Sequence, residues 1–322
     1  MSDGTMLKVT GLTKHFPVRG SSHKVVHAVD SVSFEVAKGT TLGLVGESGC
    51  GKSSCARTII RIYDPTAGQI LLDGKDITAL PQRELMPIRR KMQMIFQDPY
   101  ASLNARMTVR DLISEPLTAH LEAKSRRDAD ELVNDMLEKV GLTREHANRY
   151  AHEFSGGQRQ RVGIARALIL KPELVICDEP ISALDVSIQA QIVNMLRDFQ
   201  QELGLTYLFI AHDLSMVRYV SDQVGVMYMG QLVELCQADE IYRHPLHPYT
   251  KGLLGSIPIP NPKLARQKTV SSLEGDLPSP IDPPKGCRFH TRCPHVMDKC
   301  RTEEPALREA GPGHCAACHL YG

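Results

Sequence analysis

The chain has 322 residues, 42% hydrophobic and 23% charged, and its 38 basic and 37 acidic side chains leave a net charge of +1. That near-balance argues against a bulk nucleic-acid binder, which carries a clear basic excess, and the apolar content suffices for a large core and argues against disorder. Trp is absent, no apolar run approaches the ~18 residues that cross a bilayer, and Met-Ser-Asp-Gly-Thr lacks the charged-then-apolar pattern of a secretory signal, so the expectation is a cytosolic chain of about two domains, or one large domain with an appendage.

Segments 7–12 and 25–36 read as antiparallel strands, split by the loop Arg19-Gly-Ser-Ser22. Strand-like runs follow at 41–46, 69–72, 92–96, 174–177 and 206–211, with helical patterns at 52–61, 129–140, 158–170 and 188–202. Such alternation predicts a parallel sheet with helices on its faces. Leu174-Val-Ile-Cys177 is continuously apolar, as a strand buried on both sides requires. Composition shifts after Ile257: Pro258, Pro260, Pro262, Pro278, Pro280, Pro283 and Pro284 forbid a regular helix, which predicts an extended strap over 258–284. Residues 285–322 are too few for an apolar core of their own, and clustered cysteines are the usual remedy. Five of the nine cysteines (Cys287, Cys293, Cys300, Cys315, Cys318) fall in the last 36 residues. In a reducing compartment that clustering points to a metal or cluster site and not to disulfides. Cys50, Cys55, Cys177 and Cys236 are scattered and read as packing residues.

Gly46-Glu-Ser-Gly-Cys-Gly-Lys-Ser53 matches G-x-x-x-x-G-K-[ST], after a predicted strand and before a predicted helix. Its glycines let successive N–H groups turn inward onto phosphate oxygens, and the helix N-terminus adds its positive end. Lys52 can reach the β- and γ-phosphates, and the Ser53 hydroxyl can ligate Mg²⁺. Leu174-Val-Ile-Cys-Asp-Glu179 ends an apolar strand in two carboxylates, where an open α/β sheet places its ligand crevice. Adjacent strand residues point to opposite sides, so the two acids have different tasks: Asp178 holds the Mg²⁺ shell, and Glu179 polarises the attacking water. Ser155 to Gln158, in Phe154-Ser-Gly-Gly-Gln158, has the S-x-x-Q spacing of a capping box. Gly156 and Gly157 behind the cap offer bare N–H groups at a positive helix end, a second anion-binding surface.

In this order, the phosphate loop, the FSGGQ segment and the CDEP strand end resemble the nucleotide-binding subunit of an ATP-binding-cassette (ABC) transporter, over roughly 7–257. Ser182-Ala-Leu-Asp185 is similar to that family's D-loop, Gln97 in Ile95-Phe-Gln-Asp98 to its Q-loop glutamine, His212 to its switch histidine and Phe16 to the aromatic that stacks on adenine. The resemblance implies an α/β P-loop NTPase cassette: a parallel-sheet core with an antiparallel β subdomain and a helical subdomain at about 98–170, all within 1–257. The strap (258–284) and a Cys-rich tail (285–322) follow. It implies ATP contacts from Phe16, Gly46, Ser48, Gly49, Cys50, Gly51, Lys52, Ser53 and Ser54, Mg²⁺ at Ser53, Gln97 and Asp178, and catalysis by Glu179, His212, Gln97 and Lys52. Ser155, Gly156, Gly157, Gln158 and Asp185 would serve the ATP of a partner subunit in a head-to-tail dimer.

His247-Pro-Tyr-Thr250, the strap and the tail resemble the oligopeptide, dipeptide and nickel branch of bacterial importers, as does Asp98-Pro-Tyr-Ala-Ser-Leu-Asn104. Ala105 and Ser54 depart mildly from that branch's usual Pro and Thr. The implied assembly is a second, non-identical ATPase subunit, two permeases and an extracytoplasmic peptide-binding protein, with this chain peripheral on the cytoplasmic face of the membrane and no nucleic acid. Peptide is the expected cargo; nickel and glutathione importers share these features, and a non-transport ABC ATPase is a distant alternative. The tail reads C-x5-C-x6-C-x14-C-x2-C, matching neither zinc-ribbon pairs nor the ferredoxin run. Four thiolates could close around a [4Fe–4S] cluster, which is favoured, or around Zn²⁺. The resemblance points to Cys287, Cys293, Cys300 and, in Ala317-Cys-His319, Cys318, with Cys315 keeping the fourth assignment open.

Overall fold

The structure, a computed structural model, describes residues 4–18, 20, 21, 23–182, 184–257 and 275–322. The first part of the expected strap, 258–274, lies outside them, as does Ala183 of the D-loop segment. The described residues divide into two units, one drawn from Met1–Met6, Val36–Thr40 and Ala79–Ile210, the other from Leu7–Glu35, Thr41–Thr78 and Ala211–Gly322.

The second of these units carries two sheets. The antiparallel one runs in the order Val25–Ala37, Thr5–Pro17, Ala67–Leu72, Lys75–Asp76, with Leu7 opposite Leu72 and Val9 opposite Ile70. Both expected N-terminal strands form. In Val25–Ala37 the residues Val29, Val32, Phe34 and Val36 turn inward, while Ser31, Ser33 and Glu35 face out, the alternation of a sheet with one wet face. In the other sheet Thr41–Val45, buried throughout, lies parallel to Gln223–Tyr228. Gln231–Gln237 then turns back antiparallel. Neither of these last two strands stands out in the sequence runs above.

The tail is built into this sheet. His314–Ala316 pairs with Gln231–Gln237, placing Ala316 opposite Glu234, and Arg308–Gly311 pairs with His314–Ala316. The tail's Phe289 is 1% exposed and lies 5.3 Å from the Tyr228 ring, 5.5 Å from Tyr249 and 5.6 Å from His247. Residues too few to enclose a core thus borrow one.

The unit containing Ala79–Ile210 holds three parallel strands, Met92–Ile95, Leu174–Asp178 and Thr206–Ala211, with Leu174 opposite both Met92 and Thr206. Leu174–Asp178 is buried at every position, as its composition predicts. The helix expected from 129 begins earlier, at Arg126–Lys139, because the Ser125 side chain accepts the Asp128 N–H at 3.1 Å and caps the first turn. Gln82–Lys91 and Val109–Ala119 are helices despite Pro87 and Pro116 within them. Burial of Leu85 and Ile88, and of Val109, Leu112, Ile113 and Leu117, outweighs the proline penalty. Val186–Leu203 turns Ile192, Val193, Met195, Leu196 and Phe199 inward and ends on Gly204 at φ 66, a left-handed stop that suits glycine.

One carboxylate fastens the tail. Glu234 is fully buried and accepts from the Leu246 N–H at 2.7 Å, the His247 N–H at 2.9 Å and His314 Nε2 at 2.8 Å. Glu234→Gln puts an amide N–H₂ among three buried donors, so this unit should lose roughly 2–4 kcal/mol. Urea denaturation and limited proteolysis of the tail measure that loss, and an unchanged urea midpoint would show that Glu234 does not hold the tail.

Candidate functional site

The phosphate loop leaves the buried strand Thr41–Val45 and enters the helix Lys52–Ile59. Gly51, at φ 105, precedes the helix where a Cβ would lie 2.0 Å from the Ala28 carbonyl oxygen, so no side chain fits there. Lys52 is 4% exposed. Its Nζ donates to the carbonyls of Gly46 at 2.7 Å and Glu47 at 2.9 Å and lies 3.7 Å from Cys50 Sγ. Burial pushes the Cys50 thiol up despite the lysine, so it stays neutral. An ammonium resting on neutral carbonyls favours an added anion, which phosphate oxygens supply. Ser48 and Gly49 are exposed at the loop tip, and Ser53 and Ser54 are half-buried on the first helical turn. Phe16, also half-buried, meets Tyr63 edge-on at 5.1 Å, with Lys14 Nζ 5.0 Å from its ring.

In the other unit, Asp178 is fully buried and Glu179 half-exposed, as the two-sided reading of the strand end expects. Glu179 sits at φ 47, a left-handed conformation uncommon for a glutamate, held by its N–H to the Ile210 carbonyl at 3.0 Å. Gln97 Nε2 donates to Glu179 Oε2 at 2.8 Å. This turns the amide oxygen, the atom suited to a hard cation, away from the carboxylate.

The FSGGQ segment forms the expected capping box. Ser155 Oγ accepts the Gln158 N–H at 3.4 Å and Gln158 Oε1 accepts the Ser155 N–H at 3.0 Å, opening the helix Gly156–Leu168. Gly157 is a packing requirement: a Cβ there would lie 2.7 Å from Ile188 Cγ2. Arg159 braces the cap from below, donating to the Ala151 and His152 carbonyls at 2.7 and 2.9 Å. Asp185 is exposed ahead of the helix Val186–Leu203, and its side chain does not cap it. His212, exposed, follows the strand Thr206–Ala211.

In the tail, Cys287, Cys293 and Cys318 lie within electrostatic reach of Cys300. Burial pushes the Cys287 thiol up to about 11, with the sulfurs of Cys300, Cys318 and Cys293 adding to the shift. Cys293 and Cys318 are likewise raised by burial and by neighbouring sulfurs of the same four. Cys315 is raised by burial and the Glu309 carboxylate. Backbone N–H groups two residues on are bonded to three of the four sulfurs: Phe289 to Cys287, His295 to Cys293 at 3.4 Å, and Leu320 to Cys318. Such N–H···S bonds stabilise thiolates and suit a cluster or metal site. Among the described residues, the group whose ligand atoms all lie within 4.8 Å of one another is His15, His27 and Asp30. Arg288 of the tail already donates to that carboxylate, which burial would otherwise raise and which is held below its usual range.

Three residues outside the phosphate-loop motif bear on the loop. The Glu47 N–H donates to Tyr249 Oη at 2.8 Å, and its carboxylate takes a two-pronged contact from Arg292 at 2.8 and 3.1 Å. His247, pushed down to about 3 by burial, is neutral, and its Nδ1 accepts the Tyr249 N–H at 3.1 Å. Sequence marks His247-Pro-Tyr-Thr250 as a branch feature without showing what it touches.

Residues 29–182 match the ABC transporter family, and residues 233–300 match the oligopeptide/dipeptide transporter C-terminal region. The chain is 53% identical to the putative oligopeptide transport ATP-binding protein YkfD of Bacillus subtilis, over 98% of this chain and 95% of that protein. It is also 53% identical to the oligopeptide transport ATP-binding protein AppF of the same organism, over 98% of each. Among solved structures it resembles the ATP-binding cassette MJ0796 in a dimeric post-hydrolysis state with ADP and Pi, with a TM-score of 0.66 and 27% identity over 72% of this chain and 99% of that one. CbiO1 of Clostridium perfringens, part of the cbiONQ transporter complex, gives a TM-score of 0.65 at 27% identity over 75% of this chain and 92% of its own. With near-full-length relatives at this identity and a cassette fold of this topology, the chain belongs to the ATP-binding subunits of ABC transporters, in the branch that carries the oligopeptide/dipeptide transporter C-terminal region.

Proposed function

We propose that this chain is the ATP-hydrolysing subunit that powers import of di- or oligopeptides across the cytoplasmic membrane through partner permeases. The observation that carries the ATPase reading is the buried Lys52 ammonium on neutral carbonyls at a glycine-rich helix entrance. The peptide cargo is supported by the relatives named oligopeptide transport ATP-binding proteins.

Lys52 and the loop N–H groups hold the β- and γ-phosphates, with Gly46, Ser48, Gly49, Cys50, Gly51, Ser53 and Ser54 around them and Phe16 against adenine. Ser53, Gln97 and Asp178 supply the hard oxygen donors that suit Mg²⁺, which neutralises phosphate charge when bound. Glu179 takes a proton from the attacking water, with Gln97 holding one of its carboxylate oxygens. His212 donates to the γ-phosphate. Ser155, Gly156, Gly157, Gln158 and Asp185 serve the nucleotide of a second, non-identical ATPase subunit. The capping box uses the Ser155 side chain and the Gln158 N–H, so the remaining first-turn N–H groups of Gly156 and Gly157 are available to phosphate. Two permeases and an extracytoplasmic peptide-binding protein complete the assembly, with this chain peripheral on the cytoplasmic face. Cys287, Cys293, Cys300 and Cys318 hold a [4Fe–4S] cluster that clamps the tail, a reading supported by their shared electrostatics and N–H···S bonds.

Three measurements test this. Glu179→Gln keeps the shape but removes the base, so ATP turnover in a complex whose partner site is inactive should fall at least ~100-fold; largely intact turnover would remove Glu179 from that role. Ser155→Arg should abolish coupled hydrolysis while leaving ATP affinity of the isolated subunit nearly unchanged, and a large loss of that affinity would contradict the head-to-tail arrangement. Anaerobically purified protein should be brown, absorbing broadly near ~400 nm with about four irons per chain. Cys287→Ser, Cys293→Ser, Cys300→Ser and Cys318→Ser should each bleach it and Cys315→Ser should not. Colourless protein with one zinc would replace the iron, and colourless metal-free protein would remove the site.

A further inference from the structure

We propose that Arg292, carried by the cysteine-rich tail, is a positioning residue for ATP binding: it fixes Glu47 and, through the Glu47 backbone, the loop that holds Lys52. The proposal rests on the reading of residues 46–53 as the ATP-binding loop. The Arg292 side chain is 5% exposed and that of Glu47 24% exposed, so the pair is largely withdrawn from solvent screening. The guanidinium meets both carboxylate oxygens, at 2.8 and 3.1 Å. A two-pronged contact of this kind fixes orientation as well as distance, which a point charge does not.

Glu47 is held at three places. Its carboxylate is gripped by Arg292, its N–H donates to Tyr249 Oη at 2.8 Å, and its carbonyl accepts Lys52 Nζ at 2.9 Å. The tail turn that presents Arg292 is itself anchored. Arg288 donates to the Met229 carbonyl and to Asp30, and Phe289 packs among Tyr228, Tyr249 and His247. Backbone bonds from the His290 N–H to the Cys287 carbonyl and from the Arg292 N–H to the Phe289 carbonyl, each 3.0 Å, tighten the turn between those anchors. Side chains of residues 288, 289 and 292 therefore grip the body of the unit from one short segment, and the last of them ends on the phosphate loop. Tyr249 touches both Phe289 and the Glu47 N–H, so the aromatic anchor and the ionic one converge on one loop residue. A loop whose N–H groups must already point at phosphate loses affinity when its backbone is free to rotate, because that order must then be imposed on binding.

The test is a double-mutant cycle in the full-length chain, read by fluorescent N-methylanthraniloyl-ATP titration, with ATP hydrolysis measured in the purified transporter complex. Arg292→Ala and Glu47→Gln should each weaken nucleotide binding about 10- to 100-fold. They should raise KM for ATP more than they lower kcat, and the double variant should be no weaker than the worse single one. Arg292→Lys keeps the charge without the fork and should fall between. Arg308→Ala, an exposed tail charge, should match the unchanged protein. Unchanged affinity in Arg292→Ala, or a double variant whose loss is the product of the two single losses, would overturn the proposal. If Arg292→Ala fails to fold, Glu47→Gln removes the same contact from the loop side, and its affinity decides. Lys52→Ala separates the two readings. If it binds nucleotide as tightly as the unchanged protein, the loop is not the ATP site. If it loses binding while Arg292→Ala retains it, only the positioning role fails.

Discussion

A lysine ammonium almost wholly removed from water, resting on backbone carbonyls, is the constraint on which the rest of this site depends. Lys52 is 4% exposed, and its ammonium donates to the carbonyls of Gly46 and Glu47. Carbonyl dipoles solvate an ammonium only in part, and the remaining demand is met by an anion. The glycines follow from this demand. A loop that brings two carbonyls and several N–H groups around one small volume must cross conformations that side chains resist, and at Gly51 the approach of the Ala28 carbonyl leaves no space for a Cβ.

The tail follows from a second constraint, the size of its own core. Residues 285–322 cannot enclose an apolar interior alone. They pair two short strands onto Gln231–Gln237, insert Phe289 among Tyr228, Tyr249 and His247, and fasten His314 to the buried Glu234. Three carboxylates around this tail are matched by donors: Glu234 by three, Glu47 by Arg292, and Asp30 by Arg288 with two histidines. Burial disfavours the charged form of three tail thiols, Cys287, Cys293 and Cys318.

The acidic strand end shows how a local conformation gives two adjacent carboxylates different surroundings. Strand pairing carries Asp178 into full burial, and the chain then turns through a left-handed conformation at Glu179. That turn releases the second carboxylate from the interior, where it is met by Gln97. The cost of the unusual φ is of the kind that persists where surrounding structure over-determines it, here the Glu179 N–H bonded to Ile210.

Much of this was legible in residue order alone. Phosphate loop, strand-end acids and FSGGQ segment each rest on short-range chemistry: glycines where the backbone must turn, a hydroxyl and an amide three residues apart for a capping box, an apolar run ending in carboxylates. Such signals survive without knowledge of the fold because the interacting groups are neighbours in sequence. The helices containing Pro87 and Pro116 were hidden because burial overrode local propensity, and Gln223–Tyr228 because the strand that pairs along its other edge, Thr41–Val45, lies far back in the chain. The same reason governs the site. No spacing rule links Glu47 to Arg292, 245 residues away, or Glu234 to His314, 80 residues away. A long-range ion pair leaves no periodicity in a single sequence. C-x14-C-x2-C likewise says nothing of the surroundings of its last two cysteines; strand pairing carries Cys315 opposite Leu235, while Cys318 lies beyond the strand's end within electrostatic reach of Cys293 and Cys300. Local chemistry thus determined which groups the protein would use, and tertiary packing decided which of them meet, because only the folded chain brings distant residues within the few ångströms over which charges and hydrogen bonds act.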